Sequence, residues 1–188
     1  MAQKFKSLNL ISMKKITGIF FCSNDSHNLS NKWKNASCIF KDNSAPYLII
    51  DSVKSCIDST GHGLFIFNNA ISGVGYFLVV KHRNSIETWS STPNAFISNE
   101  LTYNFTTSSS HAFGNNRVNK GSRYCIYSGD VSQDGIVDGN DAGSIDNDAY
   151  NFITGYVNTD LTGDNIIDAS DASIVDNNAF NFVSAIRP

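Results

Sequence analysis

No stretch of the chain approaches the ~18 to 20 consecutive apolar residues that crossing a bilayer requires, so the sequence holds no membrane-spanning helix. Charge is scarce too: 16% of residues are charged, against 41% hydrophobic and 12% aromatic. That balance is too apolar for a disordered chain and ordinary for a folded one. There is no CxxC pair and no histidine at zinc-ligand spacing, which excludes a zinc site built on Cys22, Cys38, Cys56 and Cys125. Four cysteines allow three fully paired connectivities and their spacing selects none; Cys22 and Cys38 read equally well as unpaired thiols. Asp51, Asp58, Glu87 and Glu100 have no recognisable motif around them, so no carboxylate pair is available for acid/base cleavage of a glycoside. His62, His82 and His111 have no second ligand two or four residues further on and read as strand or turn histidines.

Negative charge is concentrated at one end. From Ile126 onward the chain holds eleven of its seventeen acidic residues, all aspartates, and a single basic residue, Arg187. The preceding residues carry thirteen basic and six acidic side chains, so the two parts net about −10 and +7. Such a tail repels nucleic acid and attracts multivalent cations.

Residues 1–45 mix Lys, Asn and Ser without period and read as a poorly ordered leader. Within them Met13 to Cys22 has the basic start and short apolar run of a signal peptide, without a clean cleavage site. From Pro46 to Tyr127 the runs Tyr47–Ile50, Leu64–Phe67, Tyr76–His82, Thr102–Phe105 and Tyr124–Tyr127 are rich in β-branched and aromatic residues and separated by turn residues. The pattern predicts an antiparallel β-sandwich, Ig-like or prealbumin-like, over residues 46–128. The polar and aromatic segment Lys81 to Trp89 reads as an exposed strand end and turn, or as a ligand face in which Trp89 stacks on a sugar ring.

The acidic tail is a repeat of period 30. GDVSQDGIVDGNDAGSIDNDAYNF (Gly129 to Phe152) matches TDLTGDNIIDASDASIVDNNAFNF (Thr159 to Phe182). Each copy places aspartates at positions 1, 5, 9 and 12 of a 12-residue loop: Asp130, Asp134, Asp138 and Asp141, then Asp160, Asp164, Asp168 and Asp171. A hard cation such as Ca²⁺ takes ~6 to 8 oxygens, which such a loop supplies from positions 1, 3, 5, 7, 9 and 12. Position 3 is Ser132 or Thr162, with a hydroxyl; position 7 offers the carbonyl of Ile136 or Ile166. Position 6 has to turn with φ > 0, which Gly135 does freely and Asn165 tolerates, so the second loop is expected to bind more weakly. Position 8 is apolar in both copies, Val137 and Ile167, which predicts a short β-bridge between the loops. Ala142, Ile145, Ala149 and Phe152 then form one helical stripe, and Ala172, Val175, Ala179 and Phe182 repeat it. A metal-free acidic repeat would leave four converging carboxylates repelling one another. An ordinary EF-hand would need an amphipathic helix before each loop and usually Glu at position 12.

These residues resemble a type I dockerin module, specifically over Gly129 to Pro188. The resemblance implies a non-catalytic module, folded on two Ca²⁺ ions, that docks onto a cohesin-like domain and tethers secreted, often polysaccharide-degrading, enzymes to scaffolds. It also implies an extracellular or cell-surface prokaryotic protein, any catalytic domain lying outside this chain. Residues 46–127 are similar, less specifically, to β-sandwiches that precede dockerin-like tails. Positions 10 and 11, which in the family commonly supply a hydroxyl-bearing or small apolar pair for cohesin recognition, are Gly139-Asn140 and Ala169-Ser170 here. The docking partner is then either a cohesin-like domain, met by faces at Asp146-Asn147 and Asp176-Asn177, or the chain's own β-sandwich, met by Phe152, Phe182 and Ile186. The rival expectation is a structural or adhesive surface protein in which calcium stiffens the junction.

Overall fold

A computed structural model describes residues 13–19, 34–58 and 60–188. Its β-rich part has strands β1 (Lys14–Ile19), β2 (Lys34–Lys41), β3 (Ile49–Ile57), β4 (His62–Phe67), β5 (Gly75–His82), β6 (Ser85–Trp89), β7 (Asn94–Ala95) and β8 (Glu100–Asn104). Seven of them form one sheet in the order β6-β5-β2-β3-β4-β1-β8, and the short β7 pairs with β5 off that path. β1 is antiparallel to β4 and parallel to β8, which makes the sheet mixed. β9 (Val118–Lys120) and β10 (Arg123–Cys125) form a separate two-stranded ribbon.

The expected two-sheet sandwich is therefore wrong: the sheet is single and curls strongly into a half-barrel. Alternation along the strands sends Ile16, Cys38, Phe40, Phe65, Phe67, Leu78 and Val80 into one core with no exposed surface. Phe40 packs edge-on against Phe67 and Phe96, with ring centroids 4.2 and 5.3 Å apart. A period of two reports that each strand buries one face. It does not report whether a second sheet or the sheet's own curvature covers that face, and here curvature covers it.

Two strands fall inside the span read as a leader, and both sit in the interior of the sheet. In β1 a buried Ile16 stands between exposed Lys15 and Thr17, a pattern too short to stand out from its polar surroundings. β1 takes up the basic and apolar run that begins at Met13 as far as Ile19; Cys22 lies outside the described residues. Cys125 is disulfide-bonded, while Cys38 and Cys56 are free thiols.

β5 is buried on both faces. Tyr76, Leu78 and Val80 enter the main core, while Phe77 and Val79 join Trp89 in a second cluster. Trp89 is 2% exposed, donates its indole N–H to Glu87 Oε1 at 3.0 Å and lies under Lys41 Nζ, 4.6 Å from the ring centroid. It offers no ligand face, and β6 is a buried strand instead of an exposed strand end.

The C-terminal repeat contributes α1 (Gly139–Tyr150) and α2 (Ala169–Phe180). Val131, Val137 and Ile145 of the first copy pack with Leu161, Ile167 and Val175 of the second, and Ile86 of β6 completes this third core without any exposure. The repeat thus closes its core with a residue of the sheet. Among the described residues no helix is long and apolar enough to cross a membrane.

Candidate metal centre in the repeated loops

Both loops fold by the same local chemistry. Position 9, Asp138 or Asp168, is the extended N-cap of the following helix, and its carboxylate accepts from the N–H of Asn140 or Ser170 at 2.8 and 2.7 Å. Position 12 is the third helical residue and returns a bond to the N-cap N–H, completing a capping box. That same carboxylate gathers the start of the loop. Asp141 Oδ1 accepts from the N–H groups of Val131 and Ser132 at 3.0 and 2.9 Å, and Asp171 Oδ1 from those of Leu161 and Thr162 at 2.7 and 2.8 Å. Asp141 and Asp171 have no exposed surface. Position 6 takes positive φ in both copies, 95° at Gly135 and 70° at Asn165.

Each carboxylate oxygen accepts about two hydrogen bonds, so Oδ1 of Asp141 and of Asp171 is saturated and Oδ2, with one bond from Asp138 or Asp168 N–H, keeps one lone pair. Asp134 and Asp164 spend Oδ1 on the N–H of Ile136 and Ile166. Within the two loops three buried oxygens accept no hydrogen bond, Asp130 Oδ1, Asp160 Oδ2 and Thr162 Oγ1, and β6 holds two more, Ser85 Oγ and Thr88 Oγ1. The three in the loops belong to positions 1, 1 and 3, where a calcium loop uses oxygen ligands. An acceptor buried without a partner costs about 1 to 3 kcal/mol, and a hard cation is the group that would satisfy a carboxylate and a hydroxyl together. Burial, then the charges of Asp141 and Asp134, push the Asp130 carboxyl up to about 6. Asp160 is raised chiefly by burial and also by Asp171, against the Gly163 N–H and the Arg83 guanidinium.

Among the described residues, no three His, Cys, Asp or Glu side chains converge into a ready metal cluster. The reason is visible in the bonds above, since the position 12 carboxylates face backbone N–H groups. The donor set fits a hard cation; Asp130, Ser132, Asp134, Ile136, Asp138 and Asp141 would hold one ion, and Asp160, Thr162, Asp164, Ile166, Asp168 and Asp171 the other.

The loops do not bridge each other. Ile136 bridges Ser184 and Ile166 bridges Thr154, so each loop pairs with the chain leaving the other repeat's helix. Both loops are also tied to the β5–β6 turn. Arg83 donates through Nε to Val157 O and through Nη2 to Asp160 O, both at 2.9 Å, with Nη2 3.6 Å from Asp160 Oδ2; its guanidinium lies 3.8 Å from the Tyr156 ring centroid. Asn84 Nδ2 donates to Asp160 O at 2.8 Å. On the first loop, Gln133 Nε2 donates to Asp130 O at 2.6 Å and to Ser85 O at 3.3 Å. Farther along β6, Glu87 pairs with Arg187 and with Lys81. Burial opposes ionisation of Glu87, but the bonds from Trp89 and Arg187 and the two cations hold its carboxyl below the ordinary value. No motif marks Arg83 or Asn84, which stand more than 70 positions from the carbonyls they bond, and Gln133, inside the repeat, is not at a ligand position.

The packing expected of Phe152 and Phe182 does not occur. Each sits just past its helix in the left-handed region, at φ 52° and 54°, and is 88% exposed. The N–H groups of Phe152 and Ile153 bond Ala149 O and Asp148 O, and Phe182 and Val183 repeat this with Ala179 and Asn178: a Schellman end with Phe where Gly is usual. Tyr150 and Phe180, each 83% exposed, stand beside them. Ile186 does reach the β-rich part, because a Cβ added to Gly114 would meet its Cγ2 at 2.6 Å. Asp51, in β3, and Asp58, just past its end, bind backbone: Asp51 Oδ2 accepts from Asn68 and Asn69 N–H, and Asp58 Oδ1 from Thr60 and His62 N–H.

Comparison with protein-family models, with curated proteins and with solved structures finds no match to this chain. The likeness to dockerins therefore rests on the loop residues themselves.

Proposed function

We propose that residues 129–188 are a calcium-binding module of the dockerin type that takes two Ca²⁺ ions, has no catalytic role and is held by the chain's own curled sheet. The observation that carries the reading is that the buried oxygens Asp130 Oδ1, Asp160 Oδ2 and Thr162 Oγ1, at loop positions 1 and 3, accept no hydrogen bond, Asp160 Oδ2 having only the Arg83 guanidinium at 3.6 Å. When bound, the ions would supply positive charge that neutralises the aspartates and satisfies those oxygens; the residues of the β5–β6 turn set where the loops stand. The disulfide at Cys125 favours an oxidising, extracellular or cell-surface setting. A second reading, docking to a separate cohesin-like domain, is favoured by the two copies of an exposed aromatic pair, Tyr150 with Phe152 and Phe180 with Phe182.

The test is calorimetric titration of the chelator-treated full chain with Ca²⁺, followed in parallel by helix content and melting temperature. Two ions per chain and a melting temperature that rises with Ca²⁺ are expected. Absence of heat, together with unchanged helicity and melting, would sink the reading.

A further inference from the structure

Between the β9–β10 ribbon and α2 lies a cleft of about 660 Å³, a size typical of small-molecule sites. Its helical wall is a ladder at four-residue spacing, Ser173, Asn177 and Asn181, which stacks on one face of α2 and its C-cap. Opposite stand Val118, Lys120 and Tyr127. No carboxylate lines the cleft, although the tail that forms half of it carries eleven aspartates. Without a carboxylate the cleft lacks the negative charge that holds a hard cation, and a single lysine is too little for a polyanion. What remains is a neutral ligand that hydrogen-bonds.

The two repeats differ at this wall. Where the second copy has Ser173, Ile174, Asn178 and Val183, the first has Gly143, Ser144, Asp148 and Ile153. The change at 178 has a structural cause, because Asn178 Nδ2 donates to Ser128 O at 2.6 Å and a carboxylate there would set acceptor against acceptor. The change at 173 has none of that kind: Ser173 Oγ bonds only to Ala169 O of its own helix and otherwise adds a hydroxyl to the cleft. Asn177 and Asn181 are exposed side chains, and Asn181 Nδ2 bonds Asn177 O at 2.6 Å, which orders the ladder. A side-chain amide offers a donor and an acceptor side by side, the complement of two neighbouring hydroxyls, and the apolar side chains of Val118, Ile126 and Ile174 in the lining suit the C–H face of a pyranose. We infer that this cleft binds a neutral oligosaccharide, read by the Ser173–Asn177–Asn181 ladder.

The test is calorimetry on the full chain in saturating Ca²⁺ with neutral β-1,4-linked hexasaccharides of glucose, xylose and mannose, with an oligogalacturonate, and with a capped uncharged hexapeptide. At least one neutral hexasaccharide is expected to bind. Asn177→Ala should weaken it about tenfold or more, about 1.4 kcal/mol, whereas Asn147→Ala at the same place in the first repeat should not change it. Melting temperature checks both variants, and alanine in a helix keeps them folded. Binding of none of the hexasaccharides, a preference for the oligogalacturonate or the peptide, or equal loss in Asn147→Ala overturns the inference.

Discussion

The two loops share a hydrogen-bond skeleton and differ in how their charge is met. Asp141 and Asp171 bond the same three backbone positions, with each distance in one copy within about 0.3 Å of the other. Beyond that skeleton the copies part. Among the described residues no cation pairs with Asp130, whose carboxyl is pushed up to about 6, whereas Arg83 stands 3.6 Å from Asp160 Oδ2. The first loop is tied by its own Gln133 reaching out to the sheet, the second by side chains of the sheet reaching in. A repeat can thus conserve its internal wiring while its two copies divide the work of neutralisation and attachment.

Removing the shared part should affect both copies most, and equally. Asp141→Ala and Asp171→Ala each strand three backbone N–H groups, two of them against a carboxylate with no exposure. A loss of about 3 to 5 kcal/mol is expected from each, read by denaturant unfolding of the full chain in chelator. A loss under about 1 kcal/mol, or one several times larger in one copy than the other, would break the equivalence of the loops.

The local fold of the loops was legible in the sequence because it is made within twelve residues: the aspartate spacing places an N-cap and the third helical residue that bonds back to the loop's start. The sheet was not, because its decisive contacts are distant. β1 pairs with β8 from Lys15↔Glu100 onward, and nothing near Lys15 announces a strand. β3 carries Asp51, Ser52 and Lys54 on a strand of nine residues, and these polar side chains hid all but its first apolar pair. Arg83 and Asn84 read as turn residues, yet they bond carbonyls 74 to 77 positions away. Trp89 is hidden for a related reason: an aromatic flanked by charges has a surface pattern in sequence, whereas in the fold Glu87 and Lys41 face the ring and bury it.

Arg83 is the largest difference between the loops, so Arg83→Met sharpens the comparison next. Methionine keeps the apolar stem against Tyr156 and removes both carbonyl bonds and the charge beside Asp160. Without calcium the chain should lose about 2 kcal/mol, since hydrogen bonds from a charged donor are worth ~1.5 to 3 kcal/mol each and the site is partly open to water. With calcium the sign reverses at the second loop. A guanidinium next to a ligand oxygen repels a dication, so its removal should raise that loop's affinity roughly tenfold, about 1.4 kcal/mol, and bring the two binding constants together. Calorimetric titration reads both constants; a second-loop affinity that stays the same or falls would show that Arg83 positions the loop more than it competes for it.

Exchanging the position 6 residues tests the smallest difference, and the two exchanges should not mirror each other. At Asn165, φ 70° is the left-handed conformation that Asn visits readily. Asn165→Gly relieves a modest strain but gives the unfolded chain more freedom, two effects that nearly cancel, for a net change within about 0.5 kcal/mol. At Gly135, φ is 95°, and a Cβ would stand 3.1 Å from Arg187 Nη2, the free end of a side chain whose Nε is engaged by Glu87. Gly135→Asn therefore costs both backbone strain and a shift of Arg187, about 1 kcal/mol or more. If the two substitutions change melting temperature by equal and opposite amounts, position 6 is governed by its own backbone alone. A larger loss at Gly135, reduced when Arg187 is also replaced by Ala, would show that the first loop and the end of the chain are held as one piece against β6.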